Sequence, residues 1–424
     1  MSQPCHMPHL SCGPGFRPIS ASSPHKVSVY RYKNESKIVT QHNVPTLNPG
    51  LTRRGLLRAG ASGLAAIGTP LWAQGALSAP ARGITIAQIA DMSAAQIDVS
   101  KDFLIGARAA WADINAKGGV RGLPVQHLVL ETDGSPASLA KAIDTIQGLP
   151  HCVAAFGTVG SQAATMASTQ LQRSLPDLAH MAPWLHSTES SLPDNSFPIF
   201  ASRTDQIQHA LKSLSSMGVD QVGVVFGSPQ DRQASLPEIE RLTRNMALRP
   251  LVYPLHSEMQ QLGASLHSDS PRVLLFIGAT PELLALTQGI ARQAQQRYII
   301  ALADVNVLTL QQSGLSRHSA VIATQVVPLV NAQAPVVRQY REAMARLYDE
   351  PPTPQSLSGF VAARFAFEAL RQTEGTPTRT GVMAALQQRK SWDLGGFLIQ
   401  TSAQRRSGSY VTQSMLASDG RFVG

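Results

Sequence analysis

From Ile84 onward the chain alternates short apolar runs of β type with segments whose apolar positions recur at helical spacing. The run at 84–90 precedes a helical pattern at 103–116, 125–130 precedes 137–147, and 153–156 precedes 162–173. This order predicts βαβαβα, a parallel sheet with helices on both faces. A second series follows, with β-type runs at 222–226, 250–253, 273–277 and 298–302 and helical patterns at 236–246 and 281–291. It predicts another doubly wound unit. After a run at 321–327 come helical patterns at 335–348, 356–372 and 382–388, then β-type stretches at 397–399 and 410–417. The helix pair at 335–372 suits neither sheet's alternation, so the chain is expected to return there to the first unit. No internal repeat of 20–50 residues is visible, which excludes a solenoid.

The fold class expected is therefore α/β, two doubly wound parallel-sheet lobes joined by a hinge that the chain crosses about three times, near 200–204, 325–330 and 394–398. The first lobe would comprise residues 82–201 and 328–396, the second 202–327 and 397–424. A chain of 424 residues, 15% charged and 43% hydrophobic, is long enough for two such cores.

Charge changes the picture once its position is counted. Of 36 Lys and Arg and 27 Asp and Glu, residues 1–81 hold 8 and 1, which leaves 28 and 26 for the body. The body lacks the basic surplus that drives binding to phosphate backbones, so nucleic acid is excluded as a partner. The basicity belongs to the leader. There, Thr52-Arg53-Arg54-Gly55-Leu56-Leu57-Arg58 precedes an uncharged Ala-, Gly- and Leu-rich stretch at 59–73. That is the layout of a signal peptide, expected over 51–81 with small-residue cleavage sites after Ala73, Ala76 or Ala81, the alternative being an uncleaved anchor helix. The paired arginines resemble a twin-arginine export signal, with Leu in place of the usual Phe. Residues 1–50 show neither periodicity and are expected to be a disordered extension or a misassigned start. Of three cysteines, Cys5 and Cys12 fall in the leader, so the body keeps Cys152, read as the start of a buried strand.

The string Asp113-Ile114-Asn115-Ala116-Lys117-Gly118-Gly119-Val120-Arg121-Gly122-Leu123-Pro124-Val125 is a helix end and a turn into the next strand, with Gly118 or Gly119 free to take the left-handed cap. Following the strand and loop at 87–93 and the helix at 106–116, it resembles the leucine/isoleucine/valine-binding protein family of periplasmic type I solute receptors. The resemblance runs over 84–424 in element order and is strongest before about residue 200. It implies a periplasmic receptor that closes on a small molecule and serves an inner-membrane ABC permease.

The same resemblance suggests where ligand would touch. In Phe156-Gly157-Thr158-Val159-Gly160-Ser161-Gln162 a strand ends in a Gly-rich turn and a helix start, an acceptor site for a carboxylate. The family's Ser at the position of Ser161 bonds the bound amino acid, whereas a plain helix cap would have the same sequence; Gln162 adjoins it. In His180-Met181-Ala182-Pro183-Trp184-Leu185-His186, Trp184 and His186 replace small ligand-holding residues, either as a cleft wall and a donor or as an ordinary loop. The second lobe departs further. Ser228-Pro229-Gln230-Asp231-Arg232 stands where the family has a Tyr-Gly pair, so Asp231 is the candidate there, and Ala279 replaces a second clamping Tyr. Asp304 is the nearest candidate for the acid that pairs with a ligand ammonium. Ser93, in the first loop beside Asp91, covers the cleft or is a solvated turn. Trp111 shares an apolar stripe with Phe103 and Ala107 and is expected in the core.

No nucleophile elbow, phosphate loop, dinucleotide fingerprint or zinc spacing occurs, and the scattered histidines are read as surface or capping residues. The expectation is a non-enzymatic, cofactor-free and metal-free monomer that binds an amino-acid-like or carboxylate solute. A periplasmic sensor subunit without a transport role, and a cofactor-containing periplasmic enzyme, are the alternatives.

Overall fold

The computed structural model describes residues 83–184, 192–315, 318–388, 390–399, 408–416 and 422–424. The expected signal peptide and His186 lie outside them.

The first sheet contains β1 (Ile84–Asp91), β2 (Val125–Thr132), β3 (Cys152–Phe156), β4 (Ala179–Met181) and β5 (Ser196–Phe197), all parallel, in the order β2-β1-β3-β4-β5. Its connections are α1 (Ile97–Ala116), α2 (Pro136–Gln147) and α3 (Ser161–Ser174). β1 is buried along its whole length because helices cover both faces. Ala87 and Ile89 pack with Leu139, Ile143 and Leu171 of α2 and α3, while Ile84 and Ile86 face Phe103 and Trp111 of α1. Trp111 is thus a core residue, its ring edge-on to Phe156. Cys152 is a buried strand start.

Helix α1 ends as its sequence implies. Gly118 and Gly119 have φ of 99° and 64°, and the Gly119 amide donates to the Ile114 carbonyl at 2.9 Å, closing the helix.

The chain enters the second unit through α4 (Arg203–Ser216) and continues as β6 (Gln221–Phe226), α5 (Pro229–Asn245), β7 (Arg249–Val252), α6 (Met259–Ser265), β8 (Val273–Ile277), α7 (Thr280–Ile290), β9 (Arg297–Ala301), α8 (Val307–Gln312) and β10 (Ser319–Gln325). Its parallel strands run β7-β6-β8-β9-β10, the same winding as the first sheet. Alternate residues again face opposite layers: Val224 and Phe226 pack with Ile207 and Ile239, and Val225 and Phe276 with Leu262 and Leu286. α4 was missed in the sequence although Ser202 and Asp205 form a reciprocal capping box at its start.

The chain then returns with α9 (Pro335–Leu347), α10 (Pro354–Arg371) and α11 (Arg379–Gln387). α10 lies against α1 so closely that a Cβ on Gly106 would fall 1.7 Å from the Ser356 carbonyl oxygen, and one on Gly359 1.8 Å from that of Phe103. Only glycine permits that approach, which makes the expected return to the first unit a backbone-on-backbone contact. The stretch 394–398, expected to cross the hinge, instead forms a hairpin of β11 (Trp392–Asp393) and β12 (Leu398–Ile399) turning at Gly395 and Gly396. Trp392 anchors it edge-on to Phe365 of α10. Finally β13 (Thr412–Leu416) pairs antiparallel with β10, and β14 (Phe422–Val423) with β13, so the second sheet is mixed at that edge.

Candidate functional site

Both sheets have the order 2-1-3-4-5, so each has a switch point where successive connections leave for opposite faces, between β1 and β3 in one and between β6 and β8 in the other. Open α/β sheets bind ligands beyond the carboxyl ends of strands at such points. A cleft of about 500 Å³ lies there in this chain. From the first sheet it is lined by Asp91 at the end of β1 and Ser93 beyond it, Asp133 and Gly134 after β2, and Gln162 on α3. From the second it is lined by Arg203 on α4, Ser228 and Asp231 at the start of α5, and Ala279 and Glu282 at the start of α7.

On the first side the geometry is set by Asp91, buried at the end of β1. Its Oδ1 accepts from the Ser93 amide at 2.9 Å, and its carbonyl accepts from Ser100 Oγ at 2.6 Å. Gly160 is the N-cap of α3, with φ of 96° and no side-chain cap. A Cβ at Gly160 would stand 3.1 Å from Asp91 Oδ2, and one at Gly134 3.2 Å from Oδ1. Both glycines therefore leave room for this carboxylate. Ser161 is the first residue of α3, not its cap, and the helix start expected to receive a ligand carboxylate already has a protein carboxylate beside it.

The Gly157–Gly160 turn is fixed from below. The Trp184 amide donates to the Thr158 carbonyl at 2.8 Å. His180, fully buried, bonds Thr158 Oγ1 through Nε2 at 2.8 Å and Ser168 Oγ through Nδ1 at 2.9 Å. Burial pushes its pKa down to about 4, so it is a neutral strut between the turn and α3. This corrects the reading of all histidines as surface or capping residues. Gln88 adds a bond from Nε2 to the Gly157 carbonyl at 3.1 Å and meets His127 at 2.8 Å.

Trp184 does not line the cleft. Its side chain is 1% exposed and packs edge-on against Phe103 and Phe200, with ring centroids 5.5 and 5.1 Å away. Its place in the sequence made it a candidate cleft wall, but an apolar aromatic cluster beneath the loop gains more from burying it.

On the second side Arg203 is the centre. Nη1 donates to Asp231 Oδ1 at 2.7 Å, and Nη2 pairs with Asp304 Oδ2. Burial opposes the charge on Arg203, and the two carboxylates outweigh it, holding the guanidinium above its ordinary range. Asp304, expected to meet a ligand ammonium, instead lies behind the cleft wall as a partner of Arg203. Asp231 does line the cleft, and it is held by its neighbours: its amide donates to Ser228 Oγ at 3.1 Å, and that hydroxyl donates to Asp231 Oδ2 at 2.6 Å.

The two sides meet beneath the cleft. Asp102 of α1 accepts from Asn306 Nδ2 at 2.9 Å and from Thr353 Oγ1 at 2.8 Å, and Gln355 Nε2 donates to the Ala303 and Val305 carbonyls at 3.1 Å each. Burial pushes the Asp102 carboxyl up to about 6.

Of the residues picked from sequence, the structure brings Ser93, Gln162, Asp231 and Ala279 to one cleft and places Ser161 at the head of α3. Asp133, Arg203 and Glu282 were missed. The Ser202 capping signal marks Arg203 as the first residue of a helix, but nothing in the sequence shows that this helix start faces the cleft. Among the described residues no cluster of His, Cys, Asp and Glu could hold a metal ion, and no helix is long and apolar enough to cross a membrane.

A family model described as periplasmic binding protein matches residues 83–418. No curated protein matches the chain. Among solved structures, a substrate-binding periplasmic protein of Ralstonia solanacearum is 20% identical with a TM-score of 0.72, covering 80% of this chain and 99% of that one. A fatty acid ABC transporter substrate-binding protein of Thermomonospora curvata is 16% identical with a TM-score of 0.69, covering 81% and 91%. A branched chain amino acid ABC transporter protein of Thermus thermophilus with bound valine is 14% identical with a TM-score of 0.69, covering 80% and 94%. At these identities the shared property is the fold.

Proposed function

Since this chain belongs to the periplasmic binding protein family, we propose that it is the exported solute receptor of an ABC importer, binding a small-molecule ligand between its lobes. The observation that carries the reading is the pairing of two switch points, each at the carboxyl end of a parallel sheet, across one cleft. Ligand docks on Asp91, Ser93 and Gln162 of the first lobe. The second lobe, moving on the segments that join the sheets, brings Asp231 and Glu282 over it. Contacts made only in the shut form shift the equilibrium toward closure. The shut monomer then presents a surface to the permease.

The test is a thermal-shift screen of the full chain against amino acids, amines, dicarboxylates and amides. A true ligand at a hundredfold excess over its Kd stabilises by about 2.7 kcal/mol and raises Tm by several degrees. A screen in which no compound raises Tm overturns the receptor reading.

A further inference from the structure

We propose that the cleft selects a ligand with a positive charge at each end, a linear diamine or polyamine, in preference to a zwitterionic amino acid or a carboxylate. This rests on the receptor reading above and specifies its ligand. The charged residues of the lining are Asp91, Asp133, Asp231, Glu282 and Arg203. The one cation among them is already committed, bonded to Asp231 and to Asp304 behind it. Asp91, Asp133 and Glu282 pair with no cation among the described residues, and Glu282 Oε2 is buried without a hydrogen-bond partner.

The unpaired charge is divided between the lobes. Asp91 and Asp133 stand on the first side and Glu282 on the second, so a ligand with two separated ammonium groups meets a carboxylate at each end. Between them the surface is small and partly apolar: Ala95, Met166, Ala234 and Ala279. Such a surface suits a polymethylene chain. No aromatic ring is among the described lining residues, so a stacked or caged cation has no platform there. A ligand carboxylate at the α3 start would be repelled by Asp91, whose oxygens lie against Gly160 and Gly134.

The protonation of these groups agrees. Asp133 is held down to about 2 by hydrogen bonds from Ser135 and Ser138 and is fully ionised. Burial pushes Glu282 up, and the charges of Asp231 and Asp304 push it further. An arriving ammonium reverses that effect, so binding releases protons near the carboxyl's own pKa.

The experiment is isothermal titration of the full chain with putrescine and spermidine as probes, against leucine, glutamate and succinate. The amines are expected to bind, more weakly as salt rises, with an enthalpy below neutral pH that changes with the buffer's own ionisation heat. Glu282→Gln and Asp133→Asn, on opposite lobes, should each weaken putrescine by about tenfold, the loss expected for one ion contact. Leucine, glutamate or succinate binding while the amines do not overturns the cation assignment and leaves the receptor reading standing. Amine binding unchanged in both variants places it outside the cleft and also overturns the assignment. If no compound in this set or the thermal screen binds, both readings fall.

Discussion

β1 and β6 hold corresponding places in two sheets of the same winding, and each ends at the cleft beside a helix start. The two starts are built differently. In the first lobe α3 begins on Gly160, with a positive φ and no side-chain cap, and Asp91 fills the space that the glycine leaves. In the second lobe α5 is capped by the Ser228 hydroxyl, and Asp231 beside it is tied to Arg203 and through it to Asp304. One pole carries carboxylates without a cation. The other carries a cation between two carboxylates. The lesson is that a shared topology positions a cleft, while the side chains at each strand end decide separately how much of its charge is left for a ligand.

The strongest way to break this comparison is to remove the cation. Arg203→Leu leaves Asp231 and Asp304 facing each other with no positive charge, and losing one partner of a buried ion pair costs about 3–5 kcal/mol. Urea denaturation at pH 7 measures it. The double change Arg203→Met with Asp304→Met removes most of the imbalance and is expected to cost much less. A loss below about 1 kcal/mol in the single variant would mean that the pair behaves as a surface salt bridge and the second pole is not a locked unit.

Next in size is a test on the first lobe. Gly359→Ala drives a Cβ to within 1.8 Å of the Phe103 carbonyl oxygen, so α10 must move off α1. Overpacking of this kind costs about 1–3 kcal/mol, and here the obstacle is backbone on both sides. The expected reading is a lower Tm with the ion pairs of the second lobe intact, which separates the two lobes' contributions. An unchanged Tm would show that the helices have slack.

The difference between the lobes also explains what the sequence revealed. The first lobe was legible nearly element by element, because 84–90, 125–130 and 153–156 are continuous apolar runs separated by strongly periodic helices and a glycine-marked stop at Gly118 and Gly119. The short strands β5, β11 and β14, of two residues each, carry too little pattern to be seen. In the second lobe α4, α6 and α8 were missed, α6 and α8 because they have only seven and six residues. The site divided in the same way. Ser93, Gln162, Asp231 and Ala279 lie in the turns and helix starts that follow strand ends, so placing the strands places them, and Asp133, one residue past β2, was open to the same argument. Arg203 and Glu282 depend on how α4 and α7 are turned, which is a property of tertiary packing. Trp184 misled because a tryptophan at a loop looks like a ligand wall until its neighbours Phe103 and Phe200 are known to converge on it.

A smaller effect probes the contact beneath the cleft. Asp102 has its carboxyl raised to about 6 by burial, above its unfolded value, so the folded form holds the proton more tightly. The stability that this contributes is fully present below pH about 4 and is lost as pH rises through 6. Asp102→Asn keeps an acceptor for Asn306 or Thr353 and removes the buried charge. It should therefore raise stability by roughly 1–2 kcal/mol at pH 8 and change it little at pH 4.5. A variant no more stable than the wild type at pH 8, as at pH 4.5, would show that the charge is compensated and that the lobes are not coupled through this carboxyl.

The smallest effect falls on the two helix starts themselves. Ser228→Ala deletes the hydroxyl that accepts the Asp231 amide and donates to its carboxylate, a loss of about 1 kcal/mol for an N-cap, whereas Ser228→Gly costs only a few tenths. The comparison predicts this order for α5, and guanidinium denaturation of the two variants measures it. It predicts the reverse sensitivity for α3, where Gly160→Ala forces a side chain into a left-handed backbone and toward Asp91 Oδ2, 3.1 Å from the new Cβ. If alanine is tolerated at both positions, neither start depends on its own cap, and the contrast between the uncommitted Asp91 beside α3 and the committed Asp231 of α5 would have to rest on Arg203 alone.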